Sequence, residues 1–465
     1  MTAHHNTAVA NTKGPDDRAF LGHPKGLGYL ALVEGGERFS YYSMQALLTL
    51  YMYKYLLLPE HIGGVIGLDW LRSWHYPGLS GQPLGSAIFG DYTSFVYLTP
   101  ILGGMLADRW LGRRAALIAG GLIMSLGHFM MALEGTFLFA LLALVVGVGL
   151  FKGNIASQVG ELYEQGDNRR ATAFQIYYLA ISASVIVAPL IAGTLGERIG
   201  WHYGFGAAGI VMVLALLLYL KAGPWLPPEP QRAGSGNGDR PRLQTGDGWR
   251  IAALGILVPI IALAHLVNQQ IFNVFMVWGD QQFDLRLGTF TMPTTWLITF
   301  DAAIAFIIMS LMVLFWKWFG LRRREPDELS KMIIGSLFTI SGGLLLVLIA
   351  TSYPQQAGAA SIPLYWPLLF IVINEIGFAN ISPVGLALFS RMAPAAIGGT
   401  VIGIFYLSFF LCNKAVGIVG EWYATMPTAS FWMIHVGASA AALIAFVLFK
   451  LTLSRLLDED SSSRT

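Results

Sequence analysis

Two carboxylates and one guanidinium open the first long apolar stretch of the chain, EGGERFSYYSMQALLTLYM, as Glu34, Glu37 and Arg38. At about 100° per residue they share one helical stripe with Tyr41 and Gln45. Charges inside a membrane are costly unless they are paired or hydrated, and they usually mark a transport pathway or a proton relay. A helix end among lipid headgroups would also carry charges, but the ordered stripe favours a polar face on a water-filled cavity.

The composition is that of a membrane protein. The 465 residues are 55% hydrophobic and 12% charged, whereas a soluble domain carries roughly twice that share of charge. The net charge of +2 does not indicate a nucleic-acid partner, and we expect none. The single cysteine, Cys412, excludes an internal disulfide and a Cys-rich metal site. The N-terminal stretch lacks the apolar region of a signal peptide, so we interpret it as a cytoplasmic lead-in.

Helices must position the polar stripe. Apolar stretches long enough to cross about 30 Å of hydrocarbon recur about twelve times, and a polar, Pro- and Gly-rich linker divides them into two groups of six. We therefore predict an all-α membrane protein. Its expected parts are a lead-in over 1–33, an N-terminal six-helix bundle over 34–221, a flexible cytoplasmic linker over 222–249, a C-terminal six-helix bundle over 250–454 and a cytoplasmic tail over 455–465.

Positive charge predicts the orientation. Basic residues concentrate after the second and fourth spans, in the linker and around the loop between the eighth and ninth spans, while the opposite loops offer little beyond Lys54, Arg72, Arg198 and Arg286. The positive-inside rule then places both termini and the linker in the cytoplasm of a cell whose inner membrane the chain spans. Six plus six helices around a cytoplasmic hinge is the plan of rocking-bundle transporters, although some membrane enzymes also have two-fold plans.

A charged motif, GGMLADRWLGRR, closes the second span and opens the third. Its charges, Asp108, Arg109, Arg113 and Arg114, can pair with neighbouring helix ends and stabilise one conformation, which is the gating role we expect for them. A plain positive-inside anchor would explain the arginines but not the ordered spacing. The motif resembles the loop signature of the major facilitator superfamily.

Further motifs narrow the family. EGGERFSYYSM looks like the ExxER-F-x-YY element of the proton-dependent oligopeptide transporters, and similar stretches follow at 95–112, 147–163 and 174–206, with weaker ones at 268–270, 293–296 and 382–386. The resemblance implies the major facilitator fold with two six-helix bundles. It also implies proton-coupled symport of di- and tripeptides by alternating access, with protons as the coupling ion and no other cofactor or metal. We expect a monomer in the lipid bilayer.

The resemblance also assigns roles to residues. Glu34, Glu37 and Arg38 would form the proton-linked cluster, and Tyr41, Tyr42 and Tyr97 would line the substrate cavity. Lys152, in the FKGN motif, would face the peptide carboxylate. The chemistry agrees, because a buried lysine is tolerable when a carboxylate arrives to pair with it. The alternative is a lysine at a helix end that snorkels to the headgroups.

The chain departs from the family pattern at several positions. Gln45 stands where peptide transporters carry a second arginine, and Gly90, beside Asp91, stands where animal relatives carry a histidine. The remaining departures are Ser182 for an asparagine, Asn268 for a glutamate, Asp301 for an asparagine, and Phe378 for a glutamate that Glu375 could replace one turn earlier. We predict that Asp301 and Glu375 serve proton coupling and bind the peptide's amino terminus, whereas packing acids are the alternative. Gln45, Ser182 and Asn268 would line the substrate cavity.

Two other functions remain open. The same fold and proton relay could carry another small amphoteric or anionic solute, particularly since Gln45 offers no charge to a carboxylate. A membrane enzyme would need a nucleophile with a base or a metal motif inside the spans. His128 and His265 lack such partners in the sequence, so we do not expect an enzyme. The sequence shows no repeated filter residues of a channel, and Lys414 has no assigned role.

Overall fold

The structure is a computed structural model that describes residues 17–164, 167–228, 247–355, 361–394 and 397–453. The predicted tail over 455–465, the first sixteen residues of the lead-in and the central part of the linker, 229–246, lie outside the described residues. Twelve long helices account for most of the described chain: α1 (Lys25–Tyr51), α2 (Gly81–Leu106), α3 (Arg113–Met130), α4 (Phe137–Glu161), α5 (Arg169–Ala188), α6 (Trp201–Ala222), α7 (Asp247–Ala264), α8 (Trp296–Gly320), α9 (Glu328–Ser352), α10 (Tyr365–Met392), α11 (Gly398–Glu421) and α12 (Thr428–Thr452).

Short helical segments extend or connect the long helices: Met52–Leu56, Pro59–Ile62, Leu68–Trp74, Ala107–Leu111, Glu134–Thr136, Pro189–Gly193, Thr194–Arg198, Gly223–Trp225, Leu266–Gln269, Gln270–Phe272, Val274–Gln282 and Trp422–Thr425. In the described part of the chain, four two-residue strands form two small sheets: β1 (Phe283–Asp284) pairs in parallel with β4 (Ile362–Pro363), and β2 (Arg286–Leu287) pairs antiparallel with β3 (Phe290–Thr291). The fold is therefore all-α in its spanning part, as the composition predicts.

Length and composition agree with a multi-pass membrane protein. Within the described residues, nine helices are long and apolar enough to cross a membrane. The other three long helices are α1, α2 and α3, which carry the charged stripe, Asp91 and the arginine pair of the charged motif. Membrane helices tolerate such polar residues where other helices cover them. The three helices complete the predicted number of spans.

The first helix begins earlier than the sequence analysis expects. Residues 25–33, assigned to the lead-in, belong to α1, which starts directly after Pro24. Gly26 is needed for packing, because a Cβ there would lie 2.3 Å from the carbonyl oxygen of Trp225. The ring of Trp225 stacks on Tyr29 at 5.2 Å between centroids and lies under the Lys25 ammonium. The start of α1 is therefore anchored to the start of the linker.

The described end of the lead-in is tied to the connection between α4 and α5. Arg169 pairs with Asp17 at 3.3 Å and with Asp167 at 2.8 Å. A second contact joins the same two parts of the chain: His23 Nδ1 lies 2.9 Å from the Tyr163 hydroxyl. These contacts hold the lead-in against the N-terminal bundle.

Helices pack into two groups along the chain. In the first group α1 packs on α5 and α6, while α4 packs on α2 and α3; in the second, α9 packs on α10 and α12, and α8 packs on α10. Contacts between the groups include those of α2 with α11, of α5 with α8, and of α1 with the segment that follows α7. Facing elements of the two bundles thus surround a central region, and the polar residues of the sequence analysis lie around it.

Candidate functional site

The charged stripe on α1 is a buried cluster. Arg38 Nε lies 3.0 Å from Glu34 Oε1 and 2.5 Å from Glu37 Oε2, and the three side chains are at most 6% exposed. The two glycines between the acids allow this burial. A Cβ on Gly35 would lie 3.2 Å from Ser184 Oγ of α5, and one on Gly36 would lie 2.7 Å from the side chain of Ala215 on α6. The EGGER sequence therefore combines close helix packing with three charges.

Two carboxylates around one guanidinium can exchange a proton without leaving a buried charge unpaired. Removing one partner of a buried ion pair is expensive because the other charge then lacks compensation. When one of the two carboxyl groups in this cluster is protonated, Arg38 still pairs with the other, ionised one. The geometry of Glu34, Glu37 and Arg38 is thus suited to bind and release one proton.

Lys152 lies among tyrosine rings. Its Nζ is 5.1 Å from the centroid of Tyr97 and 5.7 Å from that of Tyr41. Tyr41 also contacts the Arg38 guanidinium at 5.5 Å and packs edge-on against Tyr42 at 5.0 Å. Ring faces attract cations, so the tyrosines hold the ammonium near the charged stripe. The structure therefore brings together the predicted lysine and the predicted tyrosines of the N-terminal bundle.

The acid on α10 is held by amide donors. Asn268 Nδ2 donates to Glu375 Oε1 at 2.8 Å, and Asn374 Nδ2 donates to the same oxygen at 3.3 Å. Gln269 Nε2 in turn donates to Asn268 Oδ1 at 3.0 Å. Asn268 thus orients Glu375, a contact that the sequence analysis did not foresee.

Asp301 of α8 is buried and its side chain interacts directly with that of Glu375. The two acids that the sequence analysis treats as alternative binders of an amino terminus therefore form one pair. Two ionised carboxylates that interact in a buried place repel each other, so such a pair is stabilised by a shared proton or by a bound cation. The pair of Asp301 and Glu375 is therefore suited both to hold a proton and to bind a cationic group.

The remaining predicted cavity residues differ in their surroundings. Gln45 on α1 is 2% exposed. Ser182 donates its hydroxyl to the carbonyl oxygen of Tyr178 on its own helix at 3.0 Å. Phe378, which replaces an acid, packs edge-on against His265 at 5.5 Å. Ser182 is thus engaged by its own helix, and the position of Phe378 is apolar.

The charged motif between α2 and α3 makes contacts within the N-terminal part of the chain. Arg113 pairs with Glu161 at the end of α4, and its Nε lies 3.5 Å from Asp108. Arg114 donates to the carbonyl oxygen of Pro227 at 2.9 Å, and Arg109 is exposed. The motif therefore fastens α3 to α4 and to the start of the linker.

Two further polar contacts connect residues far apart in the sequence. Asp91 of α2 accepts hydrogen bonds from His75 Nε2 at 2.7 Å and from the Tyr76 hydroxyl at 2.8 Å, and it pairs with Lys414 of α11. Buried His128 of α3 hydrogen-bonds Ser40 of α1. The only sequence signal for these pairs is a charge or histidine inside an apolar span. Among the described residues, no group of His, Cys, Asp and Glu is arranged to hold a metal ion.

Comparison with known proteins gives a family and relatives that match over most of their length. The model of the POT family matches residues 114–234 and 250–433, more than half of the chain. The peptide transporter YePEPT of Yersinia enterocolitica is 28% identical over 490 residues, covering 88% of this chain and 90% of the relative. A di-/tripeptide transporter of Lactococcus lactis is 27% identical over 457 residues, with 84% and 88% covered. The uncharacterized transporter YclF of Bacillus subtilis is 29% identical over 452 residues, with 85% and 87% covered.

Solved structures share the fold. A peptide transporter POT in complex with sulfate superposes with a TM-score of 0.79 at 23% identity, covering 94% of this chain and 96% of the other. A POT family transporter in complex with 5-aminolevulinic acid gives a TM-score of 0.80 at 20% identity, with 95% and 99% covered. The predicted major facilitator fold is confirmed.

Proposed function

The chain belongs to the POT family, and from this premise we propose that it carries di- and tripeptides across the cytoplasmic membrane together with protons, by alternating access. The coarser conclusion, a multi-pass transport protein of a family that includes peptide transporters, follows from the relatives themselves. The finer parts of the proposal rest on the charged groups of this chain.

One observation carries the proposal: the central region has cationic and acidic groups on opposite bundles. Lys152 of the N-terminal bundle lies beside Tyr41 and Tyr97, and Glu375 with Asp301 forms the acidic pair of the C-terminal bundle. A free peptide carries a carboxylate at one end and an ammonium at the other. Such a zwitterion can pair with both bundles at once, and charge-assisted hydrogen bonds are the strong ones.

Proton coupling is proposed for the cluster of Glu34, Glu37 and Arg38. Because Lys152 lies near Tyr41, whose ring also contacts Arg38, a peptide carboxylate at Lys152 changes the field at the cluster. A substrate carboxylate that binds near Lys152 and Arg38 competes with the Glu37 carboxylate for electrostatic pairing with these two cations. Binding of peptide and protonation of Glu37 then favour each other, as linkage between two sites requires.

Polar contacts between the bundles indicate which side is closed. Thr49 donates to the carbonyl oxygen of Phe272 at 2.9 Å, Lys54 pairs with Asp280 at 2.7 Å, and Glu197 accepts from the Thr295 amide at 2.8 Å. These contacts lie at the end where α1 and α5 finish. With both termini placed in the cytoplasm, this end is extracellular, and we propose that the structure is closed to the outside.

Uptake of labelled dialanine into proteoliposomes tests the proposal. With an inward proton gradient we expect accumulation above the external concentration, and without the gradient only equilibration. Accumulation that ignores the gradient contradicts proton coupling, and absence of uptake in both cases contradicts peptide transport.

A second function has one observation in its favour. Gln45 is buried and uncharged where peptide transporters carry an arginine. Lys152 therefore pairs with a substrate carboxylate without a second cation at that position. The same site could therefore take another small amphoteric solute. Direct uptake of labelled single amino acids and of amine-bearing carboxylic acids distinguishes this function, because a non-peptide transporter takes up such a solute and excess dialanine does not inhibit that uptake.

A further inference from the structure

We propose that α2 and α11 form the outer gate of this transporter, and that the ion pair between Asp91 and Lys414 is its lock. The pair joins the two bundles across 323 positions of sequence. Asp91 also accepts from His75 and Tyr76 in the extracellular connection. The carboxylate therefore joins α2, the loop above it and the opposite bundle at one point.

The lock lies on a continuous line of contacts between α2 and α11, which we call the outer seam. The outer seam consists of Ser86, Gly90, Asp91 and Tyr97 of α2 against Gly420, Gly417, Lys414 and Phe409 of α11. Near its outer end, Gln82 donates to the carbonyl oxygen of Gly420 at 3.1 Å. A Cβ on Gly420 would stand 2.9 Å from the Ser86 side chain. The two helices thus meet closely from the membrane surface inward.

The closest approach is beside the lock. A Cβ on Gly90 would stand only 2.4 Å from Gly417 Cα, and one on Gly417 would stand 2.9 Å from Gly90 Cα. Small residues allow membrane helices to approach with their backbones nearly touching. Asp91 and Lys414 are therefore held against each other by a backbone contact that exists only when the two bundles are together at this end.

The outer seam ends at the proposed substrate site. Tyr97 stacks on Phe409 with ring centroids 5.1 Å apart, and the same tyrosine lies 5.1 Å from Lys152 Nζ. A peptide carboxylate at Lys152 therefore lies beside the inner end of the gate. The gate can respond to the substrate through Tyr97, because this residue belongs to the outer seam and a movement of its ring changes the contact with Phe409.

The energetics suit a lock that opens in every transport cycle. The Asp91 side chain is 13% exposed and that of Lys414 is 41% exposed, so the pair is partly hydrated and can separate. Partly exposed ion pairs contribute modestly, and losing this one shifts the closed-to-open ratio about fivefold. Neutralising one partner leaves the other without its counter-charge, so neutralising both partners costs no more than neutralising one.

Distance measurement between spin labels tests the lock without any substrate. Labels are placed on cysteines at Leu133 and Ala424, exposed positions at the outer ends of the two bundles, in the full-length protein carrying Cys412→Ala. Asp91→Asn and Lys414→Gln should each raise the long-distance population about fivefold, and the double variant should raise it no further. Arg286→Gln is the matched control, because Arg286 is an exposed outer cation that pairs with Asp284 of its own bundle.

Two results overturn the lock: single variants that leave the distance distribution unchanged, and a double variant whose effect is the sum of the single effects. Thermal unfolding checks that each variant is folded, and Lys414→Gln carries the test if Asp91→Asn does not fold. The inference rests on alternating access by the two bundles. Since the labels report distance without peptide or proton gradient, failure of the lock is distinguishable from failure of peptide transport.

Discussion

Asn268 and Glu375 meet across two helices, with the amide nitrogen of one 2.8 Å from the carboxyl oxygen Oε1 of the other. Asn268 lies in the short helical segment that follows α7, and Glu375 lies in α10. A second donor, Asn374, contacts the same oxygen at 3.3 Å. The acid of the C-terminal bundle is thus positioned by neutral donors, which leaves its second oxygen to Asp301, a proton or an incoming ammonium.

Glu37→Gln should abolish accumulation driven by the proton gradient while substrate exchange without a gradient remains measurable. Glu37 is 0% exposed and lies 2.5 Å from Arg38, and glutamine keeps the shape but cannot carry the proton. The measurement is dialanine uptake against counterflow in proteoliposomes. Exposed Glu60→Gln is the control and should behave as the unchanged protein. Full accumulation by Glu37→Gln would remove the residue from the relay.

Lys152→Ala should nearly eliminate uptake of peptides with a free carboxylate. Losing a buried charge partner costs about 2–5 kcal/mol, and the same variant should no longer discriminate between dialanine and its C-terminal amide. Competition assays with both compounds measure this. Lys317→Ala, which removes an exposed lysine of α8, should leave both values unchanged. If the lysine only snorkels, Lys152→Ala will retain the preference for the free carboxylate.

Glu375→Gln should weaken binding of peptides with a free amine about tenfold or more, and binding of N-acetylated analogues much less. Asp301→Asn should be milder, because Glu375 keeps its amide donors. Competition by free and acetylated dipeptides measures both variants. A severe effect of Asp301→Asn with no effect of Glu375→Gln reverses the two roles. No effect in either variant argues against a substrate with a free amine.

Gly90→Ala should hold the outer gate open. The new methyl group would stand 2.4 Å from Gly417 Cα, and overpacking of this kind costs about 1–3 kcal/mol. The cost falls on the closed state alone, because the helices separate when the gate opens. Labels at Leu133 and Ala424 should show longer distances. Gly104→Ala on the same helix is the control, since a Cβ there meets nothing within 4 Å, and equal effects of both variants would contradict the seam.

Asp327→Ala should destabilise the C-terminal bundle by about 1 kcal/mol. Asp327 caps α9 by accepting from the Ser330 amide at 2.8 Å, and it pairs with Lys450 of α12 at 3.0 Å. Burial alone would raise the pKa of Asp327, but the hydrogen bonds from Ser330 and Lys450 outweigh it and lower the pKa. Its contribution is therefore present above the unfolded pKa of about 4 and is lost as the pH falls below it.

Thermal unfolding in detergent measures this difference. The difference in midpoint between the unchanged protein and Asp327→Ala should narrow as the pH is lowered, and the unchanged protein should approach Asp327→Asn. Asp327→Asn, which keeps a capping acceptor without the charge, should lie between them near neutral pH. A gap between Asp327→Ala and the unchanged protein that does not narrow at acid pH would show that the charge does not contribute.

Local patterns in the sequence predict the fold and the charged stripe. Within the described residues, nine of the long helices are recognisable from length and apolar composition, and helical periodicity places Glu34, Glu37 and Arg38 on one side of α1, as the structure shows. Both inferences involve residues a few positions apart, where helix geometry is fixed. The start of α1 is not predicted by such patterns, because residues 25–33 are helical in part through the close contact of Gly26 with Trp225, which is far away in the sequence.

Contacts between distant helices are beyond such patterns. Asp91 and Lys414 are visible in the sequence only as two unexplained charges, and nothing local indicates that they pair across 323 positions. Asn268 is another case: its residue type suggests a cavity residue, whereas its partner Glu375 depends on how the segment after α7 faces α10. These relationships depend on bundle packing, which the sequence does not display at any one position.

The contact of Arg169 with Asp17, described for the lead-in, can form only after a large part of the N-terminal bundle has been synthesised. Its partners are 152 positions apart, so the ribosome has synthesised the first four spans before the arginine exists to receive the aspartate. Until Arg169 has been synthesised, Asp17 cannot be held by this ion pair. Formation of the pair therefore follows synthesis of the start of α5, and a disulfide between cysteines placed at positions 17 and 169 would report when this step of assembly has occurred.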